Sequence, residues 1–199
     1  MRTSRLPAVL ALMLLAGCAA ALPPPKLYVL EPVVAPPSGD HTTAGLPEIL
    51  MSPVQIPDYL DRPQLVERTA ANELKLVDSD HWAERLSINV ARVVAQNLST
   101  MVPADANVAQ AVRASLPFDY EVVLSLDSFE LDQNGAAVLT GRWSVLNADG
   151  TKELAAAEVS LRRPPSQPGI PAAVLAMNAN LGAVSRDIAA AVERLVAKK

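Results

Sequence analysis

The chain has 199 residues, half of them hydrophobic and 19% charged, with a formal net charge of −4. That apolar content excludes a largely disordered chain and suits one globular domain with extensions. The acid excess leaves no electrostatic footprint for nucleic acid, and at 4% aromatics the core must be built from Val, Leu, Ile and Ala.

Met1-Arg2-Thr3-Ser4-Arg5 precedes an apolar run from Leu6 to Ala16. Two arginines, a short apolar stretch and a small-residue site form a bacterial export signal. The run is far shorter than the ~20 residues that cross a bilayer. Leu15-Ala16-Gly17-Cys18 follows, and Cys18 is the only cysteine. A single thiol cannot make an internal disulfide, and at the end of an export signal these residues look like a lipobox, where the cysteine is acylated and the chain cleaved before it. The expected organisation is a cleaved lipoprotein signal at residues 1–17, an acylated Pro-rich tether at 18–25, and one α+β domain at 26–199. Loss of Arg2 and Arg5 leaves 15 basic (17 − 2) against 21 acidic side chains, a charge of −6. Attachment to a membrane must then come from acyl chains, of which two or more give a stable anchor. Ala19, where an aspartate would favour the inner membrane, resembles the outer-membrane class. The tether ends in Pro23-Pro24-Pro25; at ~3.1 Å per residue as polyproline II it reaches only ~20 Å.

Lys26 to Leu30 is a short β-type run. Pro36 to Pro47 reads as a loop. Ile49 to Ile56 suggests a strand interrupted by Pro53. Gln64–Arg68 and Glu73–Val77 predict a hairpin joined by Thr69 to Asn72. Trp82, Leu86, Val90, Val93, Val94, Asn97, Leu98 and Met101 recur at helical spacing, which predicts an amphipathic helix with Asp80 as N-cap, ending before Pro103. Ala104 to Leu116 is expected to hold a short helix. Phe118 to Leu126 alternates cleanly and changes phase at Phe129, which requires an extra residue near Asp127–Ser128. Asn134-Gly135 and Asp149-Gly150 are turns, so the next strands, Ala137–Val145 and Glu153–Leu161, complete a meander. Pro171 opens a second helix, with Val174, Met177, Leu181, Val184, Ile188, Val192 and Leu195 along one stripe. The predicted fold is α+β: a largely antiparallel sheet with two long amphipathic helices on one face.

Catalytic signals are thin. His41 sits in a loop. His81, in Asp78-Ser79-Asp80-His81-Trp82-Ala83-Glu84, could join a metal site, but zinc wants three or four His or Cys ligands; acids at a helix start, where they favour the dipole, are the other reading. No nucleophile elbow, dinucleotide fingerprint or phosphate loop occurs. The stretch Pro57-Asp58-Tyr59-Leu60-Asp61-Arg62-Pro63-Gln64 carries more than a turn requires. It is either a rigid turn in which Asp61 or Asp58 pairs with Arg62, or a contact surface, since Tyr and Arg are favoured in interfaces.

That stretch, with Trp82-Ala83-Glu84-Arg85-Leu86 and the Val-rich helix ending in Gln96-Asn97-Leu98, resembles the PqiC family of ABC-type transport auxiliary lipoproteins. The lipobox, Tyr28-Val29-Leu30 and the Phe118-to-Trp143 hairpin agree. The resemblance implies a non-enzymatic, outer-membrane lipoprotein facing the periplasm. It implies docking of an MCE-type tunnel protein for lipid, a homo-oligomeric ring, and no cofactor beyond the covalent acyl lipid on Cys18. Asp58, Tyr59, Asp61 and Arg62 are then the expected partner or subunit contacts. Two other classes remain: a lipoprotein that binds a lipid or small hydrophobic ligand by itself, in a cavity between helices and sheet, and a periplasmic hydrolase built around His81.

Overall fold

The computed structural model describes residues 23–33, 48–102, 107–110 and 117–198. Cys18, the export signal, His41 and the Pro36–Pro47 loop lie outside the described residues. Eight strands form one mixed sheet: β1 (Lys26–Tyr28), β2 (Glu48–Met51), β3 (Gln64–Ala70), β4 (Glu73–Trp82), β5 (Asn107–Gln110), β6 (Tyr120–Asp132), β7 (Ala137–Asn147) and β8 (Glu153–Arg163). Among the described residues two helices, α1 (Leu86–Met101) and α2 (Ile170–Val196), pack together on one face. The α+β expectation holds.

The long ladders, β3–β4, β6–β7 and β7–β8, are antiparallel. The short strands join in parallel: β1 to β4, β2 to β5, and both β2 and β3 to β6. The meander follows from alternation. Val122, Leu124, Leu126, Phe129 and Leu131 of β6 face the helices with Leu139, Trp143 and Val145 of β7, and all are buried. The β6–β7 register shifts between Leu126 and Ser128, the extra residue that the phase change demanded. Gly141 lies opposite Leu126 at that bulge, where a Cβ would sit 2.2 Å from the Ser125 carbonyl oxygen; only glycine fits so close a backbone.

β6 has an unusual second edge. The Glu48–Gln55 segment runs along its first half, with Ser52 N donating to Val122 O at 3.0 Å and Leu126 N to Gln55 O at 2.8 Å. β3 takes up the same edge again at Leu131 and Asp132. Between them the chain steps off the sheet as the Pro57–Pro63 turn. Pro53 sits where it cannot be asked for a ladder N–H.

Four boundaries differ from the sequence reading. β3 and β4 continue to an Ala70–Glu73 pair, which leaves Ala71 and Asn72 as the connection rather than four residues. β4 runs through Trp82, because Asp80, His81 and Trp82 pair with β1. α1 therefore starts at Leu86, and Asp80 is a buried strand residue, not its N-cap. Within the expected helix at 104–116, residues 107–110 form β5 beside β2; four residues with an open parallel edge beside them satisfy their backbone better in a ladder.

After β1 the chain leaves the sheet and straps the helix pair. Glu31 N donates to Asn178 Oδ1 at 3.2 Å, Val33 N to Asn97 Oδ1 at 3.0 Å, and Arg92 Nη2 to Leu30 O at 3.2 Å. Leu30 is fully buried between the helices. A Cβ on Gly182 would lie 2.6 Å from Val33, so glycine there lets the strap seat.

Candidate functional site

The Pro57–Pro63 turn gathers all four sequence-predicted contact residues that the structure describes. It closes on itself through Leu60 N to Pro57 O and Arg62 N to Leu60 O, both 2.9 Å, and Trp82 N donates to Pro63 O at 2.6 Å. Leu60, between them, is 1% exposed and plugs into the core. An apolar residue framed by polar ones is what pins such a turn; nothing in the spacing marked Leu60 out.

Asp61 is spoken for. The N-cap of α1 is Arg85, which offers no side-chain cap. Asp61 supplies it from across the turn: its Oδ1 accepts from Ser87 N at 3.2 Å and from Ser87 Oγ at 3.1 Å, and Oδ2 accepts from Arg85 Nε at 3.1 Å. The first-turn N–H groups of a helix have no internal acceptor, which is why a carboxylate is drawn there. Burial would raise the Asp61 carboxyl, but the bonds from Arg85 and Ser87 outweigh it and hold it below its ordinary value. The expected Asp61–Arg62 pair is therefore replaced by Asp61–Arg85.

Tyr59 fills the gap on the β6 edge. Its hydroxyl lies 2.7 Å from Glu130 Oε2 and 3.3 Å from Asp127 O, at the bulge. Glu130 is 3% exposed and pairs with Arg68, whose guanidinium also lies 6.0 Å from the Tyr59 ring centroid. Burial, then the bond to the Glu130 carboxylate, push the Tyr59 hydroxyl up to about 12. Tyr28, bonded to Asp80 at 2.7 Å, is pushed to about 12 by the same two causes.

The other two residues point elsewhere. Asp58 is exposed, with no ion-pair partner among the described residues. Arg62 is half-buried, and its Nε is buried without a hydrogen-bond acceptor among the described residues. A guanidinium held in that state can still give its outer N–H groups to a carboxylate or carbonyl brought by another molecule.

His81 belongs to β4, not to a helix start, so the reading of Asp78–Glu84 as acids at a helix N-terminus falls: β1 pairing extends the strand through it. Its Nε2 is buried without a partner, and no group of three metal-ligating side chains occurs among the described residues. The small residues of α2 serve close packing at Gly182. A cleft of about 250 Å³ lies at the tip of the β3–β4 hairpin, beside the β6–β7 turn, lined by polar Arg68, Thr69, Asp132 and Gln133 with Ala70 and Ala71, away from the helix–sheet core. No helix among the described residues is long and apolar enough to cross a membrane.

The fold recurs in solved structures. The crystal structure of an uncharacterized protein matches with a TM-score of 0.69 at 19% identity, covering 85% of this chain and 99% of that one. Protein XCC0632 from Xanthomonas campestris, of family DUF330, matches with a TM-score of 0.66 at 18% identity, covering 82% and 92%. A PelC dodecamer from Paraburkholderia phytofirmans is more distant, with a TM-score of 0.43 at 10% identity over 77% of this chain and 93% of that one. No curated protein matches. Residues 28–189 match the family described as the ABC-type transport auxiliary lipoprotein component. With that match spanning most of the chain, the protein belongs to the ABC-type transport auxiliary lipoprotein family.

Proposed function

We propose that the protein is an outer-membrane lipoprotein of a trans-envelope lipid transport system, anchored through acyl chains such as palmitate on Cys18 and facing the periplasm. Its body docks the tip of an MCE-type tunnel protein, as a ring of identical subunits, so that lipid crosses without meeting water and membrane integrity is maintained. The observation that carries this reading is the family match over residues 28–189, which starts ten residues after the lipobox cysteine. The domain unit is then residues 26–199, behind a cleaved 1–17 signal and the 18–25 tether. The chain itself has no catalytic role here; the energy for transport comes from an inner-membrane component.

Among the four turn residues, the geometry favours Asp58 and Arg62 for the contact. Tyr59 and Asp61 act behind them, fixing the turn to β6 and to α1. Photocrosslinkers placed at Asp58 and Arg62 in cells should capture a tunnel protein or a sister subunit. Capture of neither, from a correctly localised protein, removes the docking surface from this turn.

A further inference from the structure

The β3–β4 hairpin reaches one end of the sheet, where its tip lies beside the β6–β7 turn. Arg68 pairs with Asp132, and the hairpin continues to the Ala70–Glu73 pair. Its tip exposes two leucines. Leu74 is 39% and Leu76 36% exposed, and they lie opposite Arg68 and Val66, on one face of the ribbon. The outer edge of β4 from Glu73 to Ser79 has no strand beside it among the described residues, since β1 covers only Asp80–Trp82. Exposed leucines beside an open strand edge are a liability in water and call for an occupant.

The direction of the chain identifies one. β1 is parallel to β4, with Lys26 beside Asp80. Residues upstream of Lys26 therefore leave toward the hairpin tip, and the strap that follows β1 leaves the other way, along α1. Pro23, Pro24 and Pro25 are exposed and outside the sheet, as a stiff proline run requires. Cys18 is eight residue steps before Lys26, a reach of ~25 Å at ~3.1 Å per residue. Asp80 to Glu73 is seven steps of β4, ~23 Å at ~3.3 Å per residue. A tether of that reach, starting in this direction, is long enough to bring the anchor point level with the hairpin tip.

We infer that the tip of the β3–β4 hairpin rests on the lipid surface that holds the anchor, with Leu74 and Leu76 seated among the lipid chains beside the acylated Cys18. The inference rests on Cys18 being the anchor. It sets the body upright on the hairpin, with the start of α1 and the Asp58–Arg62 turn farther from the membrane.

Cys18 is the only cysteine and is capped when acylated, so a new cysteine is a unique label site. Full-length acylated protein carrying Leu74→Cys, Leu76→Cys or, as control, Ile88→Cys is labelled with the environment-sensitive dye NBD. It is then reconstituted in vesicles of phosphatidylethanolamine and phosphatidylglycerol. All three positions are exposed, so the fold tolerates them. The expected result is blue-shifted emission at positions 74 and 76, quenched by spin-labelled lipid, with position 88 unshifted and unquenched. Unshifted dye at 74 and 76, or equal quenching at 88, overturns the hairpin contact. Intact mass of the same samples separates the two readings: acyl mass present with an unquenched tip refutes the hairpin alone, and absent acyl mass refutes the anchor and the hairpin together.

Discussion

The β6–β7–β8 meander with α2 and the β1–β4 region with its turn hold together by different means. The meander is local and apolar: neighbouring strands pair along their whole length, and Phe129, Leu139 and Leu181 are at most 1% exposed. The other region is made from distant pieces joined by short parallel ladders and by polar ties, such as Asp61 to Ser87, Tyr59 to Glu130 and Tyr28 to Asp80. The first gains most of its stability from area removed from water, and its charged ties, Arg142 to Glu153 and Arg162 to Asp132, lie toward the surface. The second gains position from groups whose bonds depend on charge, so its integrity should follow protonation.

The largest test of this contrast is Phe129→Ala in β6, which should cost about 3–5 kcal/mol through lost burial and a cavity, read from the urea midpoint and nearly independent of salt. Glu130→Ala, one residue on but facing the turn, removes the carboxylate that Arg68 and Tyr59 share and should cost about 2 kcal/mol, with its penalty falling as salt rises. Equal salt dependence of the two variants would erase the distinction. Asp61→Ala removes the cap of α1 and should cost about 1–2 kcal/mol, whereas Asp61→Asn keeps an acceptor and recovers part of it. Smallest is Tyr59→Phe, about 1 kcal/mol for the lost bonds to the bulge.

The pH signature follows from the same groups. Asp61 and Asp80 are held below their ordinary values in the folded state, with burial opposed by stronger hydrogen bonds. Their stabilisation is present above a carboxylate's usual pKa and is lost as acid titrates the folded form, so the midpoint should fall below about pH 4. Tyr28 and Tyr59 are raised, chiefly by burial, to about 12. Their stabilisation is complete below about pH 10 and disappears between about 10 and 12, as the unfolded chain ionises first. Tyr59→Phe should flatten part of that alkaline limb. An unchanged limb would mean that the Tyr59 bonds contribute nothing.

What could be read from the sequence divides along the same line. Period-two and helical stripes reveal the meander, its bulge and α2, because alternation encodes burial directly. The lipobox and the Asp58–Arg62 turn stood out by residue type. The end of β4, the start of α1 and the existence of β5 did not, since each is decided by a partner far along the chain: Tyr28 beside Trp82, Glu48 beside Asn107. Asp61 looked like a partner for Arg62, and only the placement of α1 shows that a bare helix start claims it. Asn97 and Asn178 on otherwise apolar stripes were the one available sign of the strap.

The strap changes how the protein bears load. Under the anchoring proposed above, a chain held at Cys18 would be pulled from its N-terminal end. Because β1 lies parallel to β4 and the strap continues in line with it, such a pull runs along the segment rather than across it. The β1 ladder, the bonds from Glu31 and Val33 to Asn178 and Asn97, and the buried Leu30 must then yield together in shear instead of opening one at a time. In that arrangement the strap would act as a mechanical joint that spreads tension over both helices.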